Sequence, residues 1–152
     1  MFPIKKILCP TDFSEPSLLA ISAATELAGR SDAEIILIHV VSPLPASPDP
    51  GGLPAFDAAA YLKEMLTYGR QSLKRLMKEK IPDKISVRSL VLAGSPADEI
   101  ARAAETESVD LIVIATHGLT GWKRFVFGSV AEKVVRFSTC PVLTVPAPKE
   151  KP

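Results

Sequence analysis

Two hydrophobic rhythms alternate along this chain, and their alternation predicts its architecture. Lys6–Cys9 (K-I-L-C) is a short apolar run closed by Pro10, and it reads as a strand. Thr11-Asp12-Phe13-Ser14-Glu15-Pro16 then reads as a turn and a helix start, with Ser14 as N-cap and Pro16 in the first turn, where its missing N–H is tolerated. Leu18, Leu19, Ala23 and Leu27 recur at three- and four-residue spacing, and Gly29 is the expected C′ residue. Glu34–Val41 (E-I-I-L-I-H-V-V) is apolar on both faces, as a central parallel strand is.

Ser42–Pro54 follows with five prolines and two glycines, a surface loop where a strand ends and ligands of α/β sheets bind. It serves either as a lid or as a spacer. A long helix is expected from about Ala55 to Lys80, with Leu62, Leu66, Leu73, Leu76 and Met77 on one face and Lys63, Glu64, Lys74, Lys78 and Glu79 on the other. Gly69 in its interior costs roughly 1 kcal/mol against alanine, which signals close packing or a bend. Ile85–Leu92 begins with the alternation of a half-exposed edge strand. Ser95-Pro96 restarts a helix, with serine as N-cap and proline at the first position, running to about Glu107.

The last third is organised differently. Asp110 opens an apolar strand (L-I-V-I-A), and a loop holding Gly118, Gly121 and Gly128 feeds a helix at Ser129. Ser129-x-x-Glu132 has the form of a capping box, which would turn the amides of Val130, Ala131 and Glu132 toward an anion. Pro141–Val145 is a final strand with an apolar edge and no central charge, an edge that invites pairing with a second copy. The strict alternation predicts one domain over residues 1–152, a doubly wound five-stranded parallel sheet with helices on both faces.

Composition narrows the function. A formal net charge of +1 leaves no electrostatic footprint for nucleic acid, so any anion must be held locally. No apolar run approaches the ~18 residues of a membrane span, and no signal-like segment opens the chain, so the cytoplasm is the expected address. Cys9 and Cys140 lie at or beside strands without metal-ligand spacing, and they read as buried reduced thiols. The Walker phosphate loop is absent, and so is a G-x-G-x-x-G after the first strand. Neither a nucleophile elbow around a serine nor a histidine–carboxylate metal cluster is present.

Four stretches carry a resemblance instead: C-P-T-D-F-S after the first strand, L-I-H-V in the second, A-T-H-G after the fourth, and G-S-V-A-E at the last helix. Together they make the sequence similar to the universal stress proteins, the UspA-like family of small Rossmann-like domains akin to the adenine nucleotide alpha hydrolases. Nucleotide-binding members of that family carry G-2x-G-9x-G-[S/T]. Here it aligns on Ala115, Gly118, Gly128 and Ser129, with alanine in place of the first glycine. One added methyl is a mild departure at a strand end.

The resemblance implies ATP as ligand, accompanied by Mg or Mn, in a homodimeric stress-response protein with no catalytic residue assigned. Pro10, Thr11 and Asp12 would border the nucleotide, with Asp12 near the ribose and any divalent ion. Asp12 also reads as a turn residue bonding its own backbone. Val40 would meet adenine through its main chain, and Gly118, Gly128, Ser129 and Val130 would wrap the phosphates. For Ser129, helix capping competes with phosphate contact. His117 would reach the phosphates or order its loop. Lys123 and Arg124 read as solvated, and Trp122, Phe125 and Phe127 as loop anchors. Val142, Leu143, Thr144 and Val145 would form the dimer edge. A slow ATPase or phosphoryl-transfer enzyme and a nucleotide-free dimeric scaffold are the rival readings.

Overall fold

The computed structural model describes residues 3–45, 56–117 and 127–148. Its elements run β1 (Lys6–Pro10), α1 (Glu15–Ser31), β2 (Glu34–Val41), α2 (Ala58–Lys80), β3 (Val87–Ala93), α3 (Pro96–Thr106), β4 (Leu111–Ala115), α4 (Ser129–Phe137) and β5 (Val142–Val145). The sheet order is β3-β2-β1-β4-β5, and every pairing is parallel. This is the doubly wound α/β architecture that the alternation predicts.

The period of two along each strand divides the core between the two faces. Ile7, Cys9, Ile35, Leu37 and Val113 meet Ala20, Ile21, Ala24 and Ala28 of α1 and Leu73 and Leu76 of α2. Leu8, Ile36, Ile38, Ile112 and Ile114 meet Ala97, Ile100 and Ala103 of α3 and Ala131 and Val134 of α4. Burial pushes the Cys9 thiol up to about 12. Cys140 is only half-buried, unlike the expectation, and desolvation raises its thiol too. Asp110 fastens the opposite end of the sheet, its Oδ2 accepting the Lys5 and Lys6 amides at 2.8 and 2.9 Å.

Several element ends depart from the sequence reading. Gly29 is inside α1, which continues to Ser31 and stops at Asp32, in the left-handed conformation at φ 54°. Asp32 tolerates that conformation because its short side chain crowds little. α2 begins later than expected, at Ala58, where Asp57 caps the Ala60 amide at 2.9 Å. β3 starts at Val87 rather than Ile85, and it is the edge strand the alternation implied. Ser14 caps α1 as expected, with Oγ accepting the Ser17 amide at 3.4 Å. Ser95 occupies the N-cap position of α3 but makes no side-chain cap bond.

Gly69 is there for close packing. A Cβ at that position would lie 2.9 Å from Cδ2 of His39 and 3.3 Å from Cγ1 of Val91. The helix therefore approaches the sheet so closely that a side chain at residue 69 would force the His39 ring to shift.

Candidate functional site

The cleft opens where the winding reverses. α1 leaves β1 toward one face of the sheet, and α4 follows β4 on the other, so the carboxyl ends of these neighbouring strands part. Their pairing joins Ile7 and Leu8 to Leu111 and Ile112 and goes no further. Pro10 has no N–H with which to extend it. The resulting cavity is about 320 Å³. Pro10 lines it from the end of β1, Thr11 and Asp12 from the turn that follows, Val40 from β2, Ala115 from the end of β4, His117 from just beyond it, and Gly128, Ser129 and Val130 from the start of α4. Each expected nucleotide-site residue thus borders one cavity, except Gly118, which lies outside the described residues. So do Trp122, Lys123, Arg124, Phe125 and the Ala46–Pro54 part of the candidate lid. Phe127 is described and is 45% exposed.

One wall is a helix start. The N-cap of α4 is Gly128 rather than Ser129, with φ −57° and ψ 146°, and no side-chain bond closes a capping box. The Glu132 amide donates to the Gly128 carbonyl at 3.0 Å, so the amides left over at the helix end are those of Ser129, Val130 and Ala131. This shift by one residue releases the exposed Ser129 hydroxyl from capping duty. Gly128 reaches its place by donating its own N–H to the Thr116 carbonyl at 2.6 Å. The acids in the first turn of α3, Asp98 and Glu99, offset the positive end of that helix, whereas α4 carries only Glu132 there. His117 stands beside this wall, with Nδ1 2.8 Å from Thr116 Oγ1. Its Nε2 is buried without a hydrogen-bond partner among the described residues.

The opposite wall is the turn after β1. Asp12 Oδ1 accepts the Ser14 amide at 3.0 Å and also bonds the Ser14 hydroxyl, which is the turn-forming role read from the sequence. The same side chain lines the cavity, so both of its readings remain compatible with its position. Thr11 is spent locally: its amide donates to Ile38, its Oγ1 accepts the Phe13 amide at 3.0 Å, and its hydroxyl meets Ser17 Oγ at 2.8 Å. Phe13 carries a positive φ of 66°, a strained value at the edge of the cleft.

Between these walls, β2 presents bare main chain. Even-numbered residues of β2 bond toward β1: Glu34 donates to Lys5, and Ile38 accepts from Thr11. Odd-numbered residues bond toward β3: Ile35 donates to Ser86, and Val41 accepts from Gly94. The N–H and C=O of Val40 therefore point toward β1, past its last ladder bond, and neither is hydrogen-bonded among the described residues. One donor beside one acceptor is the complement of a heterocycle edge offering an acceptor beside an amino group.

Sequence reasoning missed several contributors. Ile38, Ile114, Pro96 and Ile100 give the cavity its apolar lining, and Ser17 and Thr116 support its polar rims. Their membership depends on which strands are neighbours, and no local pattern carries that information.

Comparison with known proteins agrees with the architecture. Residues 3–146 match the model of the universal stress protein family. Universal stress protein MJ0531 of Methanocaldococcus jannaschii is 40% identical over 148 residues, covering 97% of this chain and 85% of that protein. The solved structure of MJ0577, from the same organism, matches with a TM-score of 0.81 at 28% identity, over 98% of this chain and 100% of that one. Two more distant structures share the fold. One is a universal stress protein in complex with cAMP (TM-score 0.64, 23% identity, 95% and 98% of the two chains). The other is the Archaeoglobus fulgidus protein in complex with dAMP (TM-score 0.56, 20% identity, 95% and 98%).

Proposed function

Because this chain belongs to the universal stress protein family, we propose that its cleft binds an adenine nucleotide, ATP foremost, as a regulatory module of a stress response. The observation that carries this reading is the pairing of two unsatisfied main-chain surfaces across one cavity. The open edge of Val40 suits N1 and the 6-amino group of adenine. The free amides at the start of α4 suit phosphate oxygens. The relatives solved with cAMP and dAMP hold ligands that have an adenine and a phosphate in common, which supports an adenine nucleotide as the ligand class.

In this arrangement Pro10 and Ile114 flank the base, Asp12 faces the ribose, and Gly128, Ser129 and Val130 hold the phosphates, with His117 beside them. Among the described residues no three metal-ligating side chains cluster. A Mg or Mn ion would thus be held jointly by phosphate oxygens and Asp12, the usual arrangement for Mg bound with a nucleotide. The ion would neutralise phosphate charge.

Isothermal titration with Mg-ATP tests the proposal. Micromolar affinity corresponds to about 8 kcal/mol, within reach of a buried base and several amide contacts, and no heat at millimolar ATP would sink it. Ala115→Gly belongs in the same titration. Ala115 is the last residue of β4, in register with Val145 and without a positive φ, so its backbone does not require glycine. The variant is expected to bind within about fourfold of the parent, since one methyl is worth about 0.8 kcal/mol. A gain well beyond that would mean that the methyl obstructs the ligand.

The homodimer that the family resemblance implies would form at the β5 edge of the sheet. β5 is the terminal strand, and Leu143 on it is 41% exposed. A second copy pairing along Val142–Val145 would cover both. Sedimentation should then show a dimer for the parent and a monomer for Leu143→Lys. A parent that sediments as a monomer at micromolar concentration would exclude this pairing.

A further inference from the structure

The β1–β2 ladder does not simply run out at the cleft; it is diverted. After Thr11 donates to Ile38, the next bond in a parallel ladder would run from the Val40 amide to the Thr11 carbonyl. That bond is not made; the carbonyl instead accepts from Nδ1 of His39, at 2.9 Å. A carbonyl oxygen only accepts, so Nδ1 carries the proton. The bond after that would run from the Phe13 amide to the Val40 carbonyl, and the Phe13 amide has been turned onto Thr11 Oγ1 instead. We infer that His39 is a positioning residue that takes the Thr11 carbonyl away from the sheet, leaving the main-chain edge of Val40 open to read the base.

The imidazole is itself held in place. The Phe13 ring lies 4.5 Å from it, centroid to centroid, and α2 presses on it at Gly69, where a Cβ would come within 2.9 Å of Cδ2. Gly69, His39, Thr11 and Val40 thus form one line of contacts from helix to cleft. The glycine leaves room for the ring beneath the helix, and the ring replaces a main-chain donor.

The role of this edge in binding rests on the adenine reading above, so the test separates the two. Amide hydrogen exchange of the ligand-free protein comes first. In the parent, the Val40 amide should exchange fast while those of Ile38 and His39, the two residues before it in β2, stay protected. In His39→Leu the Thr11 carbonyl becomes available, and Val40 should slow by about tenfold or more, the equivalent of one net hydrogen bond. His39→Asn places an amide donor near the position of Nδ1, and Val40 should again be fast.

Titration comes second. His39→Leu should lose about tenfold in ATP affinity, while tripolyphosphate, which meets only the α4 end, should bind within about twofold of the parent. His39→Asn should restore ATP binding. Equal protection of Val40 in parent and His39→Leu, or failure of asparagine to restore its fast exchange, overturns the inference. If His39→Leu does not fold, slow exchange of Val40 in the parent overturns it alone. A parent that takes no ATP, with Val40 gaining protection only when the ring is removed, would refute the ligand and uphold the diversion.

Discussion

Gly128→Val is expected to weaken Mg-ATP binding by about a hundredfold or more, while the protein stays folded. Gly128 has an ordinary φ of −57°, so its conformation does not demand glycine. The space does. A Cβ would lie 3.0 Å from the Thr116 carbonyl oxygen, the atom that accepts the Gly128 amide at 2.6 Å. That neighbour is backbone at the end of β4 and yields little. Valine adds two γ carbons, so α4 must pull away from Thr116 and carry the amides of Ser129, Val130 and Ala131 with it. Hydrogen bonds to a charged acceptor contribute about 1.5–3 kcal/mol each, and losing two is enough for the stated effect. Stability should fall by a more modest 1–3 kcal/mol or so, the range for overpacking. Titration beside urea denaturation separates the two effects, and Gly128→Ala should fall between parent and valine. Affinity within about threefold of the parent would place the phosphates away from α4.

Gly94→Ala should produce the largest loss of stability of the substitutions considered, about 2–4 kcal/mol, from two sources acting together. Gly94 has a φ of 153°, a region that side chains rarely enter. The added Cβ would also lie 2.6 Å from Oε1 and 2.8 Å from Cγ of Glu99. Glu99 is only 8% exposed and bonds Arg102 from within its helix, so it has little room to retreat. The Gly94 amide closes the β2–β3 ladder on the Val41 carbonyl at 3.0 Å, and the turn then carries Pro96 to the cleft. For a chain of this length each kcal/mol moves Tm by about 2–4 °C, so a drop of roughly 5–15 °C is expected. Combining Gly94→Ala with Glu99→Ala should recover part of the loss, because the clash goes and the backbone strain remains. A change below about 0.5 kcal/mol would show that the turn readily adopts another conformation.

These effects mark the boundary between local and distant information in this protein. Lys6–Cys9, Glu34–Val41 and the strand opening at Asp110 were legible as buried parallel strands because burial on both faces leaves continuous apolar runs. Ser14 was legible as a cap because a hydroxyl three residues before its amide partner is a local arrangement. The family motifs at Pro10–Asp12, Val40 and Gly128–Val130 marked part of the lining of one cavity. The capping box at Ser129 misled because the Gly128 amide bonds Thr116 across the loop and moves the helix start back by one residue.

The sequence alone determined the order of elements, the α/β class and the chemical types gathered at the strand ends, since these follow from contacts a few residues apart. Only the tertiary structure decided which strands are neighbours, where β1 and β4 part, and which main-chain groups stay unpaired. The open edge of Val40 depends on an imidazole reaching the Thr11 carbonyl from β2 and on a glycine in α2 that makes room for it. Those bonds are settled by sheet register and by the packing distance of a helix, which no spacing along the chain encodes.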